Sequence, residues 1–239
     1  RPVRDIRDVE VMAHLNDESK ALLENAELIA DALIGEALVS SLKSANLKSA
    51  LTRLSVAAGE VLNNGFDKAS LKQKTINTLA IDVGSGIPRN PLHWPLAFPE
   101  VFSSESKGFD VFVGNVPFLG GQRLSGAFGT SFRNYLVAYL AGGKRGSADL
   151  AAYFFLRIYK LLGNSGIFGL LATNTIAEGD TRQVGLESML SDGNAAIFSA
   201  YPSEVWPGKA AVVTSRIHIK KGGWAGKVRL NKKIVTRVS

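Results

Sequence analysis

Gly108-Phe109-Asp110-Val111-Phe112-Val113-Gly114-Asn115-Val116-Pro117-Phe118-Leu119-Gly120-Gly121 decides how this chain is read. Phe109 to Gly114 is β-branched and aromatic and stops at glycine, the composition of a short buried strand. Asn115-Val116-Pro117-Phe118 then falls at the strand's C-terminal end, the edge where open α/β sheets place their sites. An Asn amide carries an acceptor and donors on one planar group. Asn115 can accept one hydrogen of an exocyclic amine while the Val116 carbonyl accepts the other. Two such bonds draw the nitrogen toward tetrahedral geometry and free its lone pair for attack on a methyl group. Phe118 offers a flat face to a base lifted out of a duplex. Pro117 fixes its own φ at about −65° and pushes Val116 into an extended conformation. The plain alternatives are an Asn in a strand-end turn, where Asn is common, and a core aromatic.

Upstream, residues 5 to about 80 read as helical. Asn16-Asp17-Glu18-Ser19 is a polar cluster suited to capping the next helix. Lys20 to Leu42 is rich in helix formers, with Leu22, Leu23, Ala26, Ile29, Ala30, Leu33 and Ile34 at stripe spacing. Further helices are expected over Asn46–Leu62, ended by Asn63-Asn64-Gly65, and over Lys68–Leu79. Val83 to Pro91 is turn-rich, and His93 to Phe102 is aromatic and proline-rich, extended or a short helix.

Downstream, residues 119 to 146 read as a glycine-rich loop. Ser147 to Leu162 is a strong helix closed by Gly163-Asn164. Gly166–Ala172 is a buried strand and Thr181–Leu190 a short helix. Ala195–Tyr201 and Ala211–Ile219 read as strands joined by the turn Trp206-Pro207-Gly208. Strand, helix, strand, helix and a terminal hairpin make an α/β pattern with an antiparallel edge.

Composition narrows the function. The 239 residues are 46% apolar, enough for a sizeable core, and contain no Cys. That excludes thiol catalysis, disulfides and zinc–thiolate sites, and it fits a reducing, cytoplasmic setting. The charged N-terminus has no apolar signal region, and no apolar run approaches the roughly 18 residues of a membrane span. The net charge of +7, from 28 Lys+Arg against 21 Asp+Glu, favours an anionic partner, nucleic acid first. Lys220, Lys221, Lys227, Arg229, Lys232, Lys233 and Arg237 crowd the end and alternate with Val228, Leu230, Ile234 and Val238, which predicts basic strands. They serve either phosphate contacts or the solvated face of a strand pair. His14 and His218 have no partner at metal-ligand spacing, so no metal site is expected. His93 and Trp94 read as packing residues, because His93 has no acid partner in sequence reach.

The string Gly108 to Gly121 resembles the Asn-Pro-Pro-aromatic motif of N6-adenine DNA methyltransferases. It is most similar to the large methylases of type IIG restriction–modification systems and of phage-defence systems such as BREX and DISARM. Residues 93–102, 147–162, 171–182 and 206–208 with the strand after them fit that family in order, so the resemblance covers roughly residues 5 to 238. It implies the C-terminal half of a Rossmann-like class I methyltransferase, with a helical segment over 1–80. The target-base half would span 81–222, and a basic, DNA-contacting target-recognition region would begin at 223–239. It implies S-adenosylmethionine as cofactor and double-stranded DNA as partner. Asn115, Val116, Pro117 and Phe118 take the catalytic positions, and Asp149 lies where the family frames the cofactor pocket. The alternative for Asp149 is a helix cap favoured by the dipole. Asn174 and Arg182, on the loop after the next strand, either contact the DNA backbone or cap the helix from Thr181.

Two departures qualify the match. Val116 replaces a family proline; the needed carbonyl stays but the fixed φ goes, so Val116→Pro is expected to raise turnover. The cofactor loop is also missing. Asp82-Val83-Gly84-Ser85-Gly86 imitates it, but only about 30 residues separate it from Asn115, too few for two intervening βα units at roughly 30 residues per βαβ. Pro88 and Pro91 also forbid the helix that should follow. The chain therefore reads as a fragment beginning after the third strand. Its exposed sheet edge would pair with a missing half or a second copy. A second reading is a non-catalytic DNA-binding or assembly fragment of such a methylase.

Overall fold

The computed structural model describes residues 5–43, 46–64, 67–105, 107–191, 195–206 and 212–238. They form two compact units, residues 1–97 and 98–239.

The first unit is helical: α1 (Ile6–Lys43), α2 (Leu47–Asn64), α3 (Lys68–Leu79) and the single turn α4 (Trp94–Ala97). Helix α1 runs straight through Asn16–Ser19, where a helix start was expected. Asp5 is the cap instead, accepting from the Arg7 and Asp8 amides at 2.8 and 3.2 Å. The polar cluster stays in solvent, where a few weak helix formers cost only tenths of a kcal/mol each, about 0.7 at most. Ala32, Leu54, Val61 and Leu71 make the shared apolar core of the three long helices. The buried Glu36 carboxylate is paired with Lys74.

Residues 81–97 pack with these helices, so the division falls at 97 rather than at 80. Arg89 donates to the carbonyls of Leu79 and Ile81 at 3.0 and 2.8 Å and pairs with Asp82 at 3.0 Å. Asp82–Gly86 is a turn after a helix, with no strand leading into it and no helix starting from it. His93, expected to lack an acid partner, has one: Asp31 of α1 lies 2.8 Å from its Nε2. The pair is 62 positions apart, beyond the reach of sequence spacing.

In the second unit α5 (Pro99–Phe102) leads to β1 (Phe109–Asn115). Phe98, Phe102 and Phe112 surround the Phe109 ring edge-on at 4.7–5.7 Å and seat α5 on the strand. The expected loop at 119–146 is helical: α6 (Gly121–Phe128), α7 (Thr130–Tyr135) and a π-turn through Leu140. Its glycines punctuate rather than unravel it. Gly129, at φ 88°, separates the two helices. Gly121 lets α6 approach the Ser147 backbone, which a Cβ would meet at 2.3 Å.

Helix α8 (Leu150–Leu161) begins three residues later than expected and passes directly into β2 (Leu162–Thr173), so Gly163-Asn164 lies in the strand rather than closing the helix. A short 3₁₀ turn leads to α9 (Gly179–Arg182) and, through a π-turn, to α10 (Ser188–Leu190). β3 (Ala195–Val205) is longer than expected and β4 (Val213–Lys221) runs two residues further along the chain than expected, and Pro207-Gly208 of the anticipated turn lie outside the described residues. The chain ends in β5 (Val228–Leu230) and β6 (Lys233–Val235). Asn231 and Lys232, both at positive φ, make the two-residue turn between them.

The sheet order is β1-β2-β4-β3-β5-β6. β1 and β2 are parallel, whereas β4 is antiparallel to both β2 and β3. One face carries the core: Phe168, Leu170 and Ala172 of β2, Ile217 and Ile219 of β4, and Phe155 of α8, whose ring meets Phe168 edge-on at 5.5 Å. On β1, an edge strand of this sheet, Val111 and Val113 are exposed. The unit is a Rossmann-like α/β sheet with an antiparallel side, as the strand pattern predicts. No described helix is long and apolar enough to cross a membrane.

Candidate active site

Asn115 ends β1 opposite Leu171 of the parallel β2. The ladder continues one residue further, the Val116 amide donating to the Leu171 carbonyl at 3.1 Å. Alternation turns the Val116 side chain inward, and at 5% exposure it belongs to the core. Asn115, Pro117 and Phe118 stay exposed. The loop is thus anchored by a hydrophobic side chain in its middle and offers its polar and aromatic groups outward.

Asn115 and Phe118 line one cavity of about 200 Å³ together with Leu171, Trp206, Val212 and Thr214. Typical small-molecule clefts run to roughly 300–1,000 Å³, so this one suits a single planar ring system. Its walls are apolar apart from the Asn115 amide and Thr214, whose hydroxyl is occupied by the Glu204 carbonyl at 3.2 Å. Trp206 is the residue that sequence reasoning missed. It read as part of a turn; the pairing of β3 with β4 carries it to Asn115, its amide donating to the Val212 carbonyl at 3.0 Å. A larger trough of about 350 Å³ on the open sheet face has a mainly apolar lining that includes Val111, Val113 and Phe198, with Arg216 and His218 as its charged or titratable side chains.

A second cavity adjoins the first, sharing Leu171, Trp206 and Thr214 and adding Glu204 and Arg216. Arg216 pairs with Glu204 at 2.7 Å and lies over the Tyr201 ring at 4.4 Å. The hydrogen bond from Arg216 holds the Glu204 carboxyl below its ordinary value. A depressed carboxylate stabilises the fold above its unfolded pKa, about 4.3, and loses that contribution as pH falls through the folded value. Both side chains are solvated, so the effect stays within about 1 kcal/mol. Glu204→Gln is expected to lower the melting temperature slightly at neutral pH and low salt and to leave it unchanged in acid. An equal loss in acid would remove the ion pair as its cause.

The other sequence-selected residues are placed as follows. Asp149, buried, is the N-cap of α8, accepting from Ala151 at 2.9 Å and from Leu119 at 3.1 Å. Asn174 is 29 positions from Ser203 and 41 from Ser215, yet its Oδ1 accepts from both hydroxyls at 3.2 and 3.0 Å, and its amide donates to Glu178. It fastens the ends of β2, β3 and β4. Arg182 pairs with Glu187. Lys221 donates to the Leu162 carbonyl at 2.8 Å beside the Tyr159 ring, and burial pushes its ammonium pKa down. Lys220 donates to the Lys221 carbonyl at 3.3 Å, and Lys227 is exposed.

Among the described residues, those singled out from the sequence do not complete a cofactor site. Asp149, the candidate on that side, has its Oδ1 engaged by two backbone amides, and the turn at 82–86 neither follows a strand nor opens a helix. What is brought together around one cavity is an exposed amide, Asn115, and two aromatic rings, Phe118 and Trp206.

No curated protein matches the chain. Among solved structures it is similar to the type IIL restriction–modification enzyme MmeI, determined in complex with DNA, at 18% identity and a TM-score of 0.43 over 64% of this chain. The chain spans 22% of the length of MmeI. It is also similar to a class I S-adenosylmethionine-dependent methyltransferase from Listeria monocytogenes, at 10% identity and a TM-score of 0.32, over 86% of this chain and 91% of that one. The family model of the Eco57I restriction-modification methylase matches residues 39–196, more than half of the sequence, and the chain belongs to that family.

Proposed function

We propose that this chain is the target-base half of an adenine-specific DNA methyltransferase of a restriction–modification or phage-defence system. The observation that carries the reading is the meeting of Asn115, Phe118 and Trp206 around one cavity at the C-terminal end of β1. An adenine turned out of the duplex stacks on Phe118, with Trp206 as a further wall. Its N6 hydrogens are accepted by Asn115 Oδ1 and the Val116 carbonyl, which localises the nitrogen lone pair. S-adenosylmethionine supplies the electrophilic methyl group. The protein's part is to hold the base, exclude water and pyramidalise the amine; no covalent enzyme intermediate is needed. The mainly apolar lining suits a flat base ring. The net charge of +7 and the exposed Lys227 and Arg229 support DNA as partner, with binding that weakens as salt rises.

Two measurements test this. Nucleoside mass spectrometry of DNA treated with a methylation-competent preparation is expected to show N6-methyladenine; methylcytosine alone would overturn the adenine assignment. Separately, an adenine oligonucleotide is expected to quench Trp206 fluorescence more than a cytosine oligonucleotide does. Base stacking contributes about 1–3 kcal/mol, so Trp206→Leu should weaken adenine binding about five- to 150-fold. Equal affinity of wild type and variant would remove Trp206 from the pocket.

A further inference from the structure

Asp149 does more than an N-cap needs to do. A capping side chain satisfies amides of its own helix, and Asp149 Oδ1 does so with Ala151 at 2.9 Å. The same oxygen accepts the Leu119 amide, thirty positions earlier, at 3.1 Å. The adjacent Leu150 amide donates back to the Leu119 carbonyl at 3.0 Å. Asp149 is 7% exposed, and its own amide donates to the buried Thr181 hydroxyl at 3.0 Å. Next to it, the Ser147 amide donates to Asp180 at 2.6 Å. The N-terminus of α8 is therefore held by α9 and in turn holds Leu119.

At the other end of the motif the Val116 amide is held by Leu171 at 3.1 Å. Pro117 has no amide hydrogen to give. The segment bearing Asn115 and Phe118 is thus tied at residue 116 to β2 and at residue 119 to Asp149, with a stiff residue between. We infer that Asp149 is a positioning residue that fixes Phe118 and the Val116 carbonyl relative to Asn115. This rests on the target-base reading above only for what the fixed geometry serves; the brace itself stands on its hydrogen bonds.

Three variants of the full chain separate a brace from a plain cap. Asp149→Ser keeps a good helix cap but is too short to reach Leu119. Asp149→Asn keeps Oδ1 as an uncharged acceptor for both amides. Asp149→Ala removes both functions. Amide hydrogen exchange at Leu119 reports the brace, exchange within α8 reports the cap, and adenine-oligonucleotide quenching of Trp206 reports the site. Losing one such hydrogen bond should speed Leu119 exchange about three- to tenfold. That acceleration, with weaker adenine binding, is expected in Asp149→Ser while α8 exchange and the melting temperature stay close to wild type. Asp149→Asn should recover much of the loss, and Asp149→Ala should lose protection at both places. Unchanged Leu119 exchange in Asp149→Ser, or in Asp149→Ala should the serine variant fail to fold, would overturn the brace. Faster Leu119 exchange in a protein whose wild type shows no adenine preference would leave the brace standing and overturn the base-pocket reading instead.

Discussion

Replacing Asn115 by alanine is expected to lower N6-methyladenine yield about a hundred- to a thousandfold, the usual cost of deleting one preorganised polar group aimed at a reacting atom. The loss should appear in kcat with little change in DNA affinity, because the amide acts on charge developing at the amine. Asn115 is exposed at the end of β1, and its side chain makes no hydrogen bond or ion pair among the described residues. The melting temperature should therefore hold within the roughly 0.5 kcal/mol typical of surface substitutions. Methylation that survives the substitution would refute the assigned role, and a collapse in stability would reassign Asn115 to the fold.

The second large effect reverses a sequence-based expectation. Proline at 116 matches the family pattern, and from sequence alone Val116→Pro should improve the loop. In this chain the Val116 amide donates to the Leu171 carbonyl at 3.1 Å and extends the β1–β2 ladder. Proline deletes that donor. It also replaces a valine side chain that is 5% exposed in the core. The expected outcome is a destabilisation of about 1–3 kcal/mol, or about 2–4 °C of melting temperature per kcal/mol, with lower turnover. A higher melting temperature would show that the Val116–Leu171 hydrogen bond contributes nothing.

Much of this was legible beforehand, for physical reasons. Phe109–Gly114 announced a strand through β-branched and aromatic residues ended by glycine, and α3 began and ended as expected at Lys68 and Leu79. The four motif residues fell at the strand end as expected. What was missed shares one character: it depended on what lay opposite. Glycine content suggested a loop at 119–146, yet Gly121 is there to admit the Ser147 backbone. His93 looked solitary until α1 brought Asp31 to it. Asp149 read as a cap or a cofactor residue, and its second amide comes from a loop thirty positions away. Trp206 read only as part of a turn until β3 and β4 paired and brought it to Asn115.

The parallel pairing of β1 with β2 has a kinetic consequence. Asn115 and Leu171 are register partners, separated by more than fifty residues that include α6, α7 and α8. Closing so long a connection is a non-local, entropically opposed step, and β1 gains nothing from Leu171 until the intervening helices have condensed. On refolding, far-ultraviolet helical signal should return before Trp206 reports a formed cavity, with binding competence the last property to mature.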